Sequence, residues 1–163
     1  MREECVDLGA PFAEYDAAPA LEQLTWVVKE TLRRYPPLSV IPRMALRGFV
    51  WEGDTIPAGT TVVVSPIVTH HLHDWWEGPY RFDPLRYSPE RAEDQRHTHS
   101  WIPFGGGAHM CLGLRFAESQ IRAVMHQLLL RYRWSIRDWY EMPVQQAPIS
   151  KPKDGLPIRF ERI

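Results

Sequence analysis

Phe104-Gly105-Gly106-Gly107-Ala108-His109-Met110-Cys111-Leu112-Gly113 is the stretch on which the reading of this chain turns. A glycine-rich loop runs here into a helix-forming segment, and Cys111 stands at the junction. At a helix N-terminus, unsatisfied amide N–H groups and the helix dipole favour a thiolate over a thiol. Gly105, Gly106, Gly107 and Gly113 remove side chains around that sulfur and leave room for a bulky group against the backbone. A thiolate so placed suits a soft metal or a haem iron. A buried structural cysteine at a helix start is the alternative, and a lone cysteine does not decide between them. The glycine triplet also invites comparison with a phosphate-binding loop. It lacks the Lys-Ser/Thr ending that would hold phosphate and Mg²⁺.

Upstream, Leu21, Leu24, Val28, Leu32 and Tyr35 follow helical spacing and predict a helix from Leu21 to Arg34. Pro36-Pro37 ends it, because proline cannot continue the hydrogen-bond ladder. The β-branched and aromatic runs Met44 to Trp51 and Thr60 to Val68 predict strands. Turns at Glu52-Gly53-Asp54 and Pro57-Ala58-Gly59 would fold them into a small antiparallel unit. Downstream, Ala117, Ile121, Val124, Leu128 and Tyr132 form one stripe of a helix predicted from Leu112 to Tyr132. The tail from Trp134 to Ile163 reads as short strands around Pro143, Pro148, Pro152 and Pro157. Between Glu77 and Gly107 neither helix nor strand is predicted, yet the segment holds Tyr80, Phe82, Tyr87, Trp101 and Phe104. Loops longer than about 15 residues are uncommon in compact domains unless functional or disordered. This one is too aromatic for disorder, and a flat apolar body for it to pack on would account for it.

Composition narrows the field. The 163 residues, 44% hydrophobic and 24% charged, match a globular chain of one domain. Nineteen Lys+Arg against 20 Asp+Glu leave a net charge of -1, which removes the electrostatic case for nucleic acid or an anionic membrane. No aliphatic run such as Val62-Val63-Val64 exceeds three residues, far below the roughly 18 residues of a membrane span. Met1-Arg2-Glu3-Glu4 opens no apolar signal core, so a soluble, cytoplasmic protein is expected. Its two cysteines, Cys5 and Cys111, are then expected as free thiols. The 15 prolines, about 9% against a usual 5% or so, predict much irregular chain.

Phe104 to Gly113 resembles the haem-binding loop of the cytochrome P-450 superfamily: Phe, two residues, Gly, one, His or Arg, one, Cys, one, Gly. Two further segments fall in the family's order. Glu30-Thr31-Leu32-Arg33 is similar to its E-x-x-R helix, and Phe82-Asp83-Pro84-Leu85-Arg86-Tyr87 to its F-x-P-x-R-aromatic motif. On its own, an (i, i+3) pair such as Glu30 and Arg33 would read as a solvated helix pair of little energetic weight. The resemblance runs roughly from Leu21 to Ile163. It implies a mainly α fold with small β-sheets, an irregular α+β arrangement forming the haem-proximal, C-terminal part of the family's fold.

The same resemblance implies site roles. Cys111 would be the proximal thiolate on the iron of haem b, and Phe104, Gly105, Gly107, Gly113 and Ala117 would border the macrocycle. His109 and Arg43 would bind haem propionates. Arg86 would complete a buried network with Glu30 and Arg33 that fixes the long loop, a structural role. Leu38, Val40 and Ile41, and Val144 in the tail hairpin, match segments that touch substrate. The implied activity is insertion of one atom of O₂ into a small organic substrate. Its electrons would come from a donor such as a ferredoxin and its reductase, which Arg115 and Arg122 could face.

A complete family member is more than twice this length. None of Thr25, Thr31, Thr55, Thr60, Thr61, Thr69 and Thr98 lies in the acid-Thr context of the family's oxygen-facing helix. The 163 residues therefore read as a single partial domain without its N-terminal half, expected to be inactive alone, while the C-terminus looks complete. A non-catalytic haem-binding remnant is the alternative. A structural or zinc-binding module is another, since His70, His71, His73, His97 and His99 cluster in sequence. As solvated loop residues they would need no metal.

Overall fold

The computed structural model describes residues 1–8 and 21–163. Helix α1 (Arg2–Leu8) and helix α2 (Glu22–Arg34) meet the long helix α4 (Leu114–Arg131) around a small apolar core of Cys5, Leu21, Leu24 and Leu129. Val28, Met125 and Leu130 border that core. α2 ends where expected, with the Tyr35 amide donating back to the Thr31 carbonyl ahead of Pro36.

The strands depart from the expected pairing. β1 (Ile41–Met44) begins before Met44 and runs antiparallel to β4 (Thr61–Val64), with Arg43 opposite Val62. β2 (Phe49–Trp51) and β3 (Asp54–Ile56) form a separate hairpin. The single strand expected over Met44–Trp51 is thus two strands. Between them Ala45 leaves the ladder, its amide bonding the Thr60 carbonyl and its carbonyl accepting from Gly59. The hairpin turns on Glu52 and Gly53, both at positive φ, the pattern that matches the twist of paired strands. β4 stops at Val64 instead of reaching Val68, because Pro66 opens the short helix α3 (Pro66–Thr69).

Between Glu77 and Gly107 the only regular pieces described are 3₁₀ turns at Pro84–Tyr87 and Glu93–Gln95, with a third at Gly107–His109. α4 starts at Leu114 with Gly113 as its N-cap, two residues later than expected, and Tyr132 begins β5 (Tyr132–Ser135). β5 pairs with β8 (Arg159–Arg162), and β6 (Val144–Gln145) with β7 (Lys151–Pro152). The α4 stripe through Val124 does not face the core: Val124 is exposed, while His126 and Leu129 are buried. Among the described residues no helix is long and apolar enough to cross a membrane.

Candidate functional site

Glu30 and Arg33 lie one turn apart on α2 and are both fully buried. Arg33 grips the Glu30 carboxylate with Nε at 2.8 Å and Nη2 at 2.9 Å, a bidentate pair. From the 3₁₀ turn at Pro84–Tyr87, Arg86 Nε reaches the same carboxylate at 3.1 Å, and the Asp83 amide donates to it at 2.9 Å. The structure therefore brings Glu30, Arg33 and Arg86 together across more than 50 residues of sequence. Arg86 also donates to buried Glu93 at 2.7 Å, so two carboxylates balance two guanidinium groups. Their remaining donors go to the carbonyls of His70, Glu77 and Arg81. Trp76, also fully buried, lies with its ring 5.2 Å from the Arg33 guanidinium and 5.8 Å from that of Arg86.

The surroundings hold these charges in place. Burial would raise the Glu93 carboxyl, but hydrogen bonds from Arg91, the Glu77 amide and Arg86 bring it below its ordinary value. Asp83 is likewise held low, burial being outweighed by Arg91 and Arg86. Tyr87, 3.4 Å from Glu30, is pushed well upward by burial and by the Glu30 charge, so it stays a neutral donor.

Three groups that sequence reasoning missed tie this network to the glycine loop. His70 is fully buried, contrary to the expectation of a solvated loop histidine. Its Nδ1 lies 3.1 Å from the Arg33 carbonyl, and its Nε2 accepts from the Ile102 amide at 2.8 Å. Nδ1–H therefore donates and Nε2 accepts, so the ring is neutral and neither nitrogen is open to a metal. Burial and the nearby Arg33 charge lower its pKa to about 4. Lys29, immediately before Glu30, pairs with Asp94 and stands over the rings of Tyr87 and Trp101 at 4.7 and 5.4 Å. Trp101 Nε1 in turn donates to the Lys29 carbonyl at 3.2 Å. Glu93 is the third, seven residues beyond Arg86. Only the adjacency of Lys29 to Glu30 offered a sequence signal for any of them.

Held at Trp101 and Ile102, the chain enters the loop. The Cys111 amide donates to the Phe104 carbonyl at 3.0 Å, closing the loop on itself. Gly105 and Gly107 have φ of +74° and +69°, conformations that L side chains rarely adopt. A Cβ on Gly113 would stand 3.8 Å from Cys111 Sγ. Cys111 is a free and exposed thiol two residues ahead of the Gly113 cap, which removes the buried structural reading. Leu112 beside it is 103% exposed and Phe116 67%. Ala117, half-buried, is fixed by its amide bond to the Gly113 carbonyl at 2.9 Å. A soft sulfur donor, bare glycine backbone and uncovered apolar side chains form a cradle that fits a large flat apolar group bearing a thiophilic metal.

A cleft of about 220 Å³ opens between β1, β4 and this loop, lined by Ile41, Arg43, Val64, His99, Ile102 and Gly105–Gly107. His109, in the 3₁₀ turn, is exposed and does not belong to that lining. Leu38 and Val40 are exposed. Val144, half-buried in β6, lies in the hairpin that the Ser150 amide joins to the Pro37 carbonyl at 3.0 Å. The segment after α2 and the tail hairpin are thus neighbours. Arg115 and Arg122 both approach Glu118, at 3.3 and 4.0 Å.

The family model described as Cytochrome P450 matches residues 3–157. Among curated proteins, a sterol 14alpha-demethylase of Mycolicibacterium vanbaalenii is 36% identical over 99% of this chain and 37% of its own length. Cytochrome P450 6a2 of Drosophila melanogaster is 35% identical over 91% of this chain and 30% of its own. The solved structure of a retinoic acid bound cyanobacterial CYP120A1 superposes with a TM-score of 0.86 at 26% identity, covering 99% of this chain and 38% of that one. The chain belongs to the cytochrome P450 family, and its helices and small sheets are part of that fold. It spans about a third of the length of the curated relatives it matches.

Proposed function

We propose that this chain is the haem-proximal part of a cytochrome P450 monooxygenase, with Cys111 as the proximal thiolate to haem b. The observation that carries the reading is the exposed Cys111 sulfur in its glycine cradle ahead of α4. When bound, a thiolate-ligated haem supplies the activation of O₂ for transfer of one oxygen atom to an organic substrate.

The chain's own residues hold and orient that group. Cys111 is presented by a loop that the hydrogen bond from its amide to the Phe104 carbonyl closes. Gly105, Gly107 and Gly113 would let the macrocycle approach the backbone, Phe104 and Ala117 would border it, and Arg43 and His109 would hold its carboxylates. The Glu30–Arg33–Arg86 network and His70 act structurally, setting the height at which Ile102 and Phe104 enter the loop. Leu38, Val40, Ile41 and Val144 form part of a wall toward a small organic substrate. An electron donor of the ferredoxin class would approach the Arg115 and Arg122 side of α4, where Glu118 already partners both and leaves little net positive charge. The oxygen-facing side of the pocket and its proton relay would come from residues outside these 163, so the chain alone is expected not to turn over substrate.

The test is a reduced, carbon-monoxide difference spectrum of the haem-supplied chain beside Cys111→Ala. A strongly red-shifted Soret band that vanishes in the variant is the expected result. An imidazole-type spectrum shared by both, or haem excluded from a folded chain, would overturn the assignment of Cys111.

A further inference from the structure

We propose that His99 is a further anchor for the carboxylate edge of the bound group, acting beside Arg43 across the cleft between β1 and the glycine loop. The inference rests on the haem reading above.

Arg43 and His99 are the two side chains of the cleft lining that carry ionisable groups, and no acid accompanies them. Arg43 spends one N–H on the neighbouring Pro42 carbonyl at 2.9 Å and makes no ion pair among the described residues. The rest of the lining is Ile41, Val64, Ile102 and bare glycine. A guanidinium and an imidazole in the lining of an otherwise apolar slot complement a flat apolar ligand that ends in a carboxylate.

His99 is mounted for that task. Its amide donates to His97 Nδ1 at 3.1 Å, and the His97 ring stacks on Trp75 with centroids 4.8 Å apart and planes 7° from parallel. Thr98 Oγ1 lies 3.1 Å from His99 Nδ1. In the tautomer that accepts the threonine hydroxyl at Nδ1, the ring proton sits on Nε2 and the imidazole offers an N–H there. Nε2 lies on the glycine-loop side, 3.8 Å from the place a Cβ on Gly106 would take. His97-Thr98-His99, which invited a zinc reading in the sequence, thus becomes a bracket aiming one N–H donor.

The experiment follows transfer of the bound group from the haem-loaded protein to excess apomyoglobin, using haem and, separately, haem dimethyl ester, whose carboxylates are blocked. With haem, His99→Ala is expected to release it about 5- to 10-fold faster, the effect of one net hydrogen bond. His99→Gln, whose amide can reach the Nε2 position, should restore the rate to within about twofold by the same reasoning. With the dimethyl ester, wild type and His99→Ala should release alike. Equal release of haem by wild type and His99→Ala would overturn the assignment, and so would a difference of the same size with the ester, which would mark a packing role. A wild-type protein without a Cys111-dependent red-shifted band would overturn the haem reading, and this proposal with it.

Discussion

Around Trp76, Glu30, Arg33, Arg86 and Glu93 are sealed from water, whereas beside Cys111 and along the outer face of α4, Leu112, Phe116 and Val124 stand in it. Ordinary domains do the reverse. The two regions differ in whether their partners lie among the described residues. Each buried charge is answered by an opposite charge or a carbonyl from these same residues. The apolar face is left uncovered by the described residues. The charged region therefore has its partners among the described residues, and the apolar one does not.

The strongest way to break this contrast is Glu30→Ala. Removing the carboxylate leaves buried Arg33 without an acid partner and Arg86 with Glu93 alone, and the loss should be about 3–5 kcal/mol, enough to unfold a marginal domain. Urea denaturation measures it; a loss below about 1 kcal/mol, the range of a solvated pair, would mean the network is open to water.

Protonation offers a milder probe. His70 is neutral when folded, with its pKa lowered to about 4 from an ordinary 6.5. The unfolded chain binds the proton first, so this contribution to stability is complete above about pH 6.5 and is lost as pH falls toward 4. The urea midpoint should decline across that window in wild type. In His70→Asn, which carries no titrating ring, that part of the decline should be absent. An identical slope in both would show that the ring is solvated.

The smallest effect is expected on the other side of the comparison. Phe116→Ser and Val124→Ser should each change the stability of the haem-free chain by no more than about 0.5 kcal/mol, because exposed side chains contribute little to the folded state. Concentration-dependent light scattering should fall in both. A loss of 2 kcal/mol or so, typical of buried apolar truncations, would place these residues in a core.

What the sequence disclosed follows the same division. Cys111 with its glycines, and Glu30 with Arg33, are legible as short motifs that resemble the family's, whereas spacing alone gives only that Glu30 and Arg33 stand side by side, not that they are buried. The partners His70 and Glu93 are not, since a buried histidine in an irregular segment looks like a solvated one until Arg33 and Ile102 are seen beside it. Periodicity along α4 identified an apolar stripe correctly but said nothing about what covers it, and Val124 proved to face outward. β1 begins earlier than expected because Pro42, tolerable in a strand with no second neighbour among the described residues, argues against strand in sequence.

The side-chain acceptors in the charged region have one more effect. The amides of Glu77, Asp83 and Ile102 lie outside helix and strand, yet they donate to Glu93, Glu30 and His70. Hydrogen exchange at such positions requires the opening that breaks the bond. These three N–H groups should therefore keep their protons as long as the core of α2 does. An irregular stretch would then rank, on the exchange clock, among the most slowly opening parts of the molecule.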